Sequence, residues 1–383
     1  MITYDFIVTG LGCAGMSLMY YLLDSPLKDK KILLIDYSSK SKNDRTWCYW
    51  AEKPLPIHPK NSPLVYWENI NIVKAEEKIQ SKLGDYKYFH IKSSDFYNEV
   101  SEKIKKFPNV TFIKDHIASL DQIGNDKVIV KTENNGSFYG SKVFNSIPLD
   151  QPTTKKSILN QTFVGWKIKC KGACFEKSSA TLMHFPEINR NESEFFYILP
   201  YNESEALVEY TLYTKNKVST ELLEKKLEVY LKNNLGIDEF EILFEESGTI
   251  PMTTQKFEAK KESNIISIGT LAGCTKPSTG YTFYDIQKHS QQILNQLLEE
   301  NIQPKYKWIR KKRFSFYDNI LLNIAVKWPS ELPRIFKEMF EKNQGQQVLR
   351  FLNEESSFWE ELKLLGSLKY GIFIKSLLHY EKH

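Results

Sequence analysis

Three stretches of this 383-residue chain have residue types and spacings that do chemistry in proteins. The first is Gly10-Leu11-Gly12-Cys13-Ala14-Gly15, followed about 20 residues later by Asp36. In a G-x-G-x-x-G run that leaves a strand and opens a helix, Gly10 makes the turn, Gly12 admits a pyrophosphate and Gly15 lets helix pack on strand. Asp36 stands where an acid accepts hydrogen bonds from a ribose 2′-OH. The second is Gly269-Thr270-Leu271-Ala272-Gly273-Cys274-Thr275-Lys276-Pro277-Ser278-Thr279-Gly280, in which Gly269, Gly273, Pro277, Thr279 and Gly280 repeat the logic of backbone N–H groups facing a ligand at a helix start. The third is Asp44-Arg45-Thr46-Trp47, with Trp50 close behind. It reads either as the edge of a site supplied by Arg45 or as a loop pinned by its tryptophans.

Each stretch needs elements to hold it. Tyr4 to Thr9 is a short apolar strand pattern, Met16, Met19, Tyr20 and Leu23 give a helical one, and Lys31 to Ile35 is a second strand that stops on Asp36. This is the order of a dinucleotide-binding βαβ unit. Further on, the chain predicts a strand region near Leu64 to Val73, a strand at Tyr88 to Ile91 and a helix capped by Ser94 or Asp95 that ends before Pro108. A strand at Val110 to Ile113 follows, then a hairpin about Asn134-Asn135-Gly136. From Gln151 to Ile250 the texture is alternating, with strands at Thr162 to Cys170, Ala180 to Phe185, Glu194 to Leu199 and Ala206 to Tyr213, and then a helix from Thr220 to Leu231 with Thr220 as its cap. Asn264 to Ile268 is a strand leading into the second glycine loop, and Gln303 to His383 reads as helical.

Composition narrows the function classes. A charged fraction of 26% and an apolar fraction of 41% are those of a folded globular protein. The net charge of +5 is too diffuse for a nucleic-acid partner but permits attraction to an anionic membrane surface. The 23 Phe and 21 Tyr suit either a large apolar ligand or a bulky core. Five cysteines at unrelated spacings fit neither a zinc site nor a disulfide framework, so no metal and a reducing, cytoplasmic setting are expected. Neither a signal peptide nor a membrane span is expected.

Asp44-Arg45-Thr46-Trp47, Phe196-Tyr197-Ile198-Leu199-Pro200 with Leu207-Val208-Glu209-Tyr210-Thr211, and Lys276-Pro277-Ser278-Thr279-Gly280-Tyr281 together resemble the bacterial lycopene β-cyclase family over nearly the whole chain. The resemblance implies an α/β fold with an FAD-binding Rossmann-like domain of the p-hydroxybenzoate-hydroxylase type, an antiparallel-sheet substrate domain and a helical C-terminal part. The expected divisions are 1–150 for the first part of the FAD domain with an inserted segment near 54–93, 151–250 for the substrate sheet, 251–300 for the return to the FAD domain and 301–383 for the helices. It further implies reduced FAD as cofactor, NAD(P)H as reductant, and FAD contacts from Gly10, Gly12, Gly15 and Asp36. Lycopene and related acyclic carotenoids would be the substrates, the inner face of the cell membrane a peripheral docking surface, and other enzymes of carotenoid synthesis possible partners. Glu209 maps to the glutamate implicated in catalysis.

Alternation by itself assigns Glu209 differently. Glu205, Leu207, Glu209, Thr211 and Tyr213 share one strand face, Ala206, Val208, Tyr210 and Leu212 the other, and the second is the more apolar. On that pattern Glu209 is a solvated strand residue. On the resemblance it faces the flavin, is desolvated and acts as acid or base, with Phe195, Phe196, Tyr197 and Tyr210 as aromatic neighbours for a cation. Where cyclases carry a further acid after this glutamate, the present chain has Tyr210.

Overall fold

The structure, a computed structural model, describes residues 2–149, 158–187, 189, 191–255, 264–299 and 306–383. It opens with β1 (Thr3–Thr9), α1 (Cys13–Leu23) and β2 (Ile32–Asp36). Five strands follow, β3 (Thr46–Ala51), β4 (Val65–Trp67), β5 (Asn69–Lys74), β6 (Glu77–Lys82) and β7 (Lys87–Lys92), and then α2 (Ser93–Ile104), β8 (Val110–Lys114), β9 (Ile117–Ile123), β10 (Lys127–Thr132) and β11 (Ser137–Asn145). The second half holds β12 (Leu159–Cys170), β13 (Ser179–Phe185), β14 (Ser193–Pro200), β15 (Glu205–Thr214), α3 (Thr220–Leu235), β16 (Phe240–Met252), β17 (Ile265–Ser267) and α4 (Phe283–Leu298). It ends in α5 (Lys312–Lys327), α6 (Leu332–Lys342), α7 (Gly345–Leu352), α8 (Phe358–Gly366) and α9 (Gly371–Leu378).

The first sheet has the order β8-β2-β1-β11-β10-β9, with β17 also paired to β11. β1 runs parallel to both β2 and β11, so its central strands are buried on both faces and read as continuous apolar runs. One face packs on α1, α2 and α4 through residues such as Leu18, Phe96, Phe283 and Ile293. The other buries Ile7, Leu33, Ile35, Val128 and Val143. Every residue of α1 from Ala14 to Leu23 is buried, because this helix is covered by the sheet, α2 and α4 together.

The turn between β1 and α1 is a steric necessity of that packing. Gly10 sits at φ +84°, and a Cβ there would lie 2.1 Å from Ser146 Oγ. A Cβ on Gly15 would lie 2.1 Å from the Gly10 carbonyl oxygen, so only glycine lets the first turn of α1 close onto the strand exit.

The second sheet has the order β16-β12-β15-β14-β13-β5-β6. It draws β5 and β6 from the segment near 54–93 through a parallel β5–β13 pairing, so its strands are not confined to 151–250. Its edge strand β16 has no sequence-stretch assignment above. The reason is a bulge opposite β12: Lys167 pairs with Phe244 and Ile168 with Ile242, leaving Leu243 as an extra residue that breaks the two-residue period. A third sheet, β3-β7-β4, contains Thr46 to Ala51, so the Arg45–Trp50 stretch runs into a strand held by pairing with β7, with Trp47 packed on Phe96 and Phe283.

Two helix starts come earlier than expected, α3 by one residue and α2, whose N-cap is Lys92 rather than Ser94 or Asp95, by two or three. α3 is capped by Ser219, whose hydroxyl accepts from Leu222 N–H, and Thr220 is its first helical residue; α2 begins at Ser93. Helices α5, α6 and α7 bury Phe314, Ile324, Phe336 and Val348 in one core with Phe185, Phe195, Leu207 and Tyr213 of the second sheet. The expected divisions at 150/151 and 300/301 fall outside the described residues. Among the described residues no helix is long and apolar enough to cross a membrane.

Gly10→Ala should lower stability by about 1–3 kcal/mol, because it forces a β-carbon into a left-handed backbone position already filled by Ser146. Urea denaturation of the two proteins reads the difference, and an unchanged midpoint would mean that the turn relaxes freely.

Candidate active site

The wall of the site is one face of the second sheet. Gly165 of β12 pairs with Glu209 of β15 on one side and with Glu246 of β16 on the other, and Tyr197 of β14 lies beyond Glu209. Paired residues share a face, so Phe163, Gly165, Phe195, Tyr197, Leu207, Glu209 and Glu246 look the same way. Of these, Phe163, Phe195, Tyr197, Leu207, Glu209 and Glu246 line a cavity of about 520 Å³ that runs to Gly12, Cys13 and Ala14 at the β1–α1 turn. Trp166, Val208, Tyr210 and Phe196 point to the opposite face, which packs on Leu223, Leu227 and Tyr230 of α3. The Phe196 and Tyr230 rings stack with centroids 3.6 Å apart. Of the four aromatics expected around a cation, Phe195 and Tyr197 reach the cavity, whereas Phe196 and Tyr210 are turned away by the two-residue period and belong to the core under α3.

Glu209 is half-buried in the wall of this cavity rather than on an open sheet face, and its reading as an ordinary solvated strand residue fails for that reason. The face with the more polar pattern is closed by the cavity wall and by the C-terminal helices. Burial raises the Glu209 carboxyl to about 8, and the neighbouring Glu246 charge adds to the shift, while the Thr211 hydroxyl, donating to Oε1 at 2.7 Å, opposes it. Glu246 is 6% exposed, and burial raises it to about 7. Thr46 N–H donates to its Oε2 at 2.7 Å, and the Arg45 guanidinium lies near enough to favour its charge. Sequence reading missed Glu246 because the β16 bulge hid the strand; its register with Gly165 is the signal that exposes it.

A phenol cluster adjoins this end of the cavity. Tyr88 Oη lies 2.6 Å from Tyr197 Oη and 2.9 Å from Tyr281 Oη, and Tyr197 donates to Cys48 Sγ at 3.3 Å. Burial holds all three phenols above their ordinary range, so they stay protonated as donors.

The sequence-derived site residues separate into lining and supporting groups. Gly12, Arg45, Gly269, Thr279, Gly280 and Glu209 line the cavity. Gly10 and Gly15 shape the turn behind it, as described. Asp36 is 3% exposed; its carboxylate accepts from Leu11 N–H at 2.6 Å and Ser38 N–H at 2.8 Å, with Lys40 Nζ at 3.6 Å, so it braces the glycine turn. Gly273 and Pro277 belong to the second loop but not to the lining. Arg45 donates to the Ser247 carbonyl at 2.7 Å and thereby ties β3 to β16. That loop is anchored from outside the sheet: Lys276 Nζ lies 3.0 Å from Asp318 and 3.1 Å from Glu354, and Ser278 donates to Asp318 at 2.6 Å.

The cavity is also built to receive something polar. The first turn of α1 has no acidic residue and Gly12 supplies no side-chain cap, so its N–H groups remain for a ligand. A Cβ on Gly12 would meet nothing within 4 Å. Thr279 Oγ1 and Gln161 Oε1, both on the lining, are buried without a hydrogen-bond partner.

The model of the family described as lycopene cyclase protein matches residues 5–378. This chain belongs to the lycopene cyclase family. No curated protein matches it in sequence. In structure it is similar to a geranylgeranyl bacteriochlorophyll reductase-like protein from Thermoplasma acidophilum, at 14% identity and TM-score 0.64 over 98% of this chain and 99% of that one. It is similar to the p-nitrophenol 4-monooxygenase PnpA from Pseudomonas putida DLL-E4, at 13% identity and TM-score 0.59 over 98% of each chain. It is also similar to a variant of the halogenase PltM in complex with FAD, at 12% identity and TM-score 0.55 over 98% of this chain and 82% of that one. The cyclase-family chain therefore has the α/β fold of the flavin-dependent reductases and monooxygenases, with a mixed sheet, an antiparallel sheet and a helical C-terminal part.

Glu209 of this family member has a folded-state pKa above the ordinary 4.5, so its contribution to stability is complete below about 4.5 and is lost as pH rises through about 8. Glu209→Gln cannot ionise. Measured by urea denaturation from pH 4.5 to 9, wild type should lose several kcal/mol relative to this variant. A difference that stays flat would show that the carboxyl is not held neutral by burial.

Proposed function

We propose that this protein is a lycopene β-cyclase that closes the ψ-ends of lycopene into β-ionone rings, giving γ-carotene and then β-carotene with no net redox change. The observation that carries the reading is a carboxyl, Glu209, kept protonated near neutrality on the aromatic wall of a cavity that begins at a dinucleotide-type turn. A protonated Glu209 delivers its proton to a terminal double bond, and a neighbouring double bond attacks the resulting cation. Loss of a second proton then leaves the ring. Phe163, Phe195 and Tyr197 line the cavity and offer ring faces to the cation.

The residues present fit FAD. The α1 N-terminus with Gly10, Gly12 and Gly15 would receive its pyrophosphate, and Asp36 would support the ribose side. Arg45, Gly269, Thr279 and Gly280 would surround the flavin half, with Gly273 and Pro277 shaping the loop behind them, and the unpartnered Thr279 hydroxyl and Gln161 amide oxygen match its polar edge. When bound and reduced, with NAD(P)H as the proposed reductant, FAD supplies an electron-rich ring that stabilises positive charge nearby.

Purified protein given lycopene in liposomes without oxygen, with FAD reduced by dithionite or NADPH, should yield carotenoids of unchanged mass and shorter-wavelength spectrum. Glu209→Gln should slow this at least 100-fold, the range of general acid–base effects. A product of altered mass would instead make the protein a flavin-dependent reductase or monooxygenase of an isoprenoid.

We also propose that the protein takes its substrate from a lipid surface, at the cytoplasmic face of the cell membrane. Support comes from α8 and α9, which leave Phe358, Trp359 and Leu362, and Ile374, Leu377 and Leu378, exposed while Leu364 and Ile372 pack inward. Lys363 and Lys375 stand on the same two helices, and the acids beside them are engaged, Glu361 with Arg313 and Glu360 with Ser357 N–H. Trp359→Ser with Leu378→Ser should reduce co-sedimentation with phosphatidylglycerol-containing vesicles by about tenfold or more. Equal sedimentation of both proteins would sink this idea.

A further inference from the structure

Cyclisation as proposed needs a proton donor and a proton acceptor, and Glu209 accounts for one of them. Glu246 faces the same cavity from the far side of Gly165. Two strand spacings separate their backbones by about 10 Å. Their side chains lean into that gap, because a Cβ on Gly165 would lie 3.3 Å from Glu246 Cγ and 3.5 Å from Glu209 Cβ. Glycine at this position therefore leaves room for both glutamate side chains and for Leu207, whose Cδ1 would lie 3.4 Å from the same Cβ. The two environments differ in kind. Glu209 has a single neutral donor, the Thr211 hydroxyl, whereas Glu246 has the Thr46 N–H at 2.7 Å and the Arg45 guanidinium in range. Hydrogen bonds and a cation favour the charged form, so of the two it is Glu246 that ionises first.

We propose that Glu246 is the second catalytic carboxyl of this site, accepting the proton that the closing ring loses and returning it to Glu209 across Gly165. This rests on the cyclase reading above. The steps balance. Glu209 gives a proton to the terminal double bond, forming a C–H bond and leaving a carboxylate; the neighbouring double bond forms the ring C–C bond and moves the positive charge into the ring. The ring carbon beside that charge loses a proton to the Glu246 carboxylate, and its C–H electrons become the ring double bond. Transfer of that proton from Glu246 to Glu209 restores the starting state with no electrons gained or lost. Tyr210 follows Glu209 and cannot serve here, because it faces α3. The further acid comes instead from a strand remote in sequence.

The groups facing Glu246 are Glu209, Asp44, Arg45, the Tyr201 phenol and the Cys48 thiol. Burial holds the phenol and thiol in their neutral forms, so the pH dependence of turnover reads the two carboxyls. Wild-type turnover should rise with pH as Glu246 ionises and fall as Glu209 does.

The test uses the full chain with reduced FAD and lycopene liposomes, and compares wild type with Glu246→Gln and Glu246→Asp for turnover against pH, flavin content and bound lycopene. The amide oxygen of E246Q still accepts the Thr46 N–H, so flavin and lycopene binding should persist while turnover drops at least 100-fold and the acidic limb of the profile disappears. E246D, which ionises, should restore the acidic limb and part of the rate. If wild type cyclises lycopene and E246Q turns over within threefold of it with both limbs intact, Glu246 is only a brace for Thr46. If E246Q and E246D lose flavin together, the role is structural and the proposal is overturned. If wild type itself fails to cyclise lycopene, the cyclase reading falls and takes this assignment with it.

Discussion

The cost of burying two carboxyl groups on one face of a doubly covered sheet is the constraint on which the site depends. A strand face that carries glutamates is normally left to water, where ionisation is free. Here α3 closes one face of the second sheet, and the cavity with the C-terminal helices closes the other. The carboxyls answer by binding protons more tightly, with the Glu246 charge adding to the rise at Glu209, and the few donors around them divide the response unequally. Burial is thus the source both of the stability cost and of the chemistry. It keeps a protonated carboxyl near neutrality beside the aromatic rings of the cavity wall.

A second buried charge network sets the opposite wall. Lys276, 5% exposed, is held by Asp318 and Glu354, and Arg310 joins Asp285 at 2.9 Å and also contacts Glu354. These partners come from the glycine loop, α4, α5 and the segment after α7. Replacing such groups by apolar residues is often neutral for stability, so their value here lies in geometry: they fix where Thr279 and Gly280 stand relative to Glu209. The C-terminal helices therefore do more than finish the core. They position the second glycine loop against the sheet.

The fold is shared with proteins named as reductases, monooxygenases and halogenases, and a shared fold does not carry a shared reaction. One sheet face of this chain carries two glutamates about a glycine, beside phenols that stay protonated. The match over residues 5–378 sets the chain in the lycopene cyclase family.

Much of this was written locally and could be read there. The βαβ opening is legible because each of its signals, apolar run, glycine spacing and helical period, acts within a few residues of the next. Strands β12 to β15 and α4 are equally plain. By contrast, the sequence alone determined which residues of β15 alternate but not which face meets water, since that depends on α3 and on helices more than 100 residues further on. It missed β16 because a bulge at Leu243 erases the period that marks a strand, and with β16 it missed Glu246. Trp47 and Trp50 read as a loop until β7 pairs with them. The chain by itself settled the glycine turn between β1 and α1, the strands β12 to β15 and the family. Only the tertiary structure decided that Glu209 stands half-buried in a cavity wall, that Phe196 and Tyr210 turn away, and that a second carboxyl stands opposite, because desolvation and charge proximity are properties of what packs together rather than of what is adjacent in sequence.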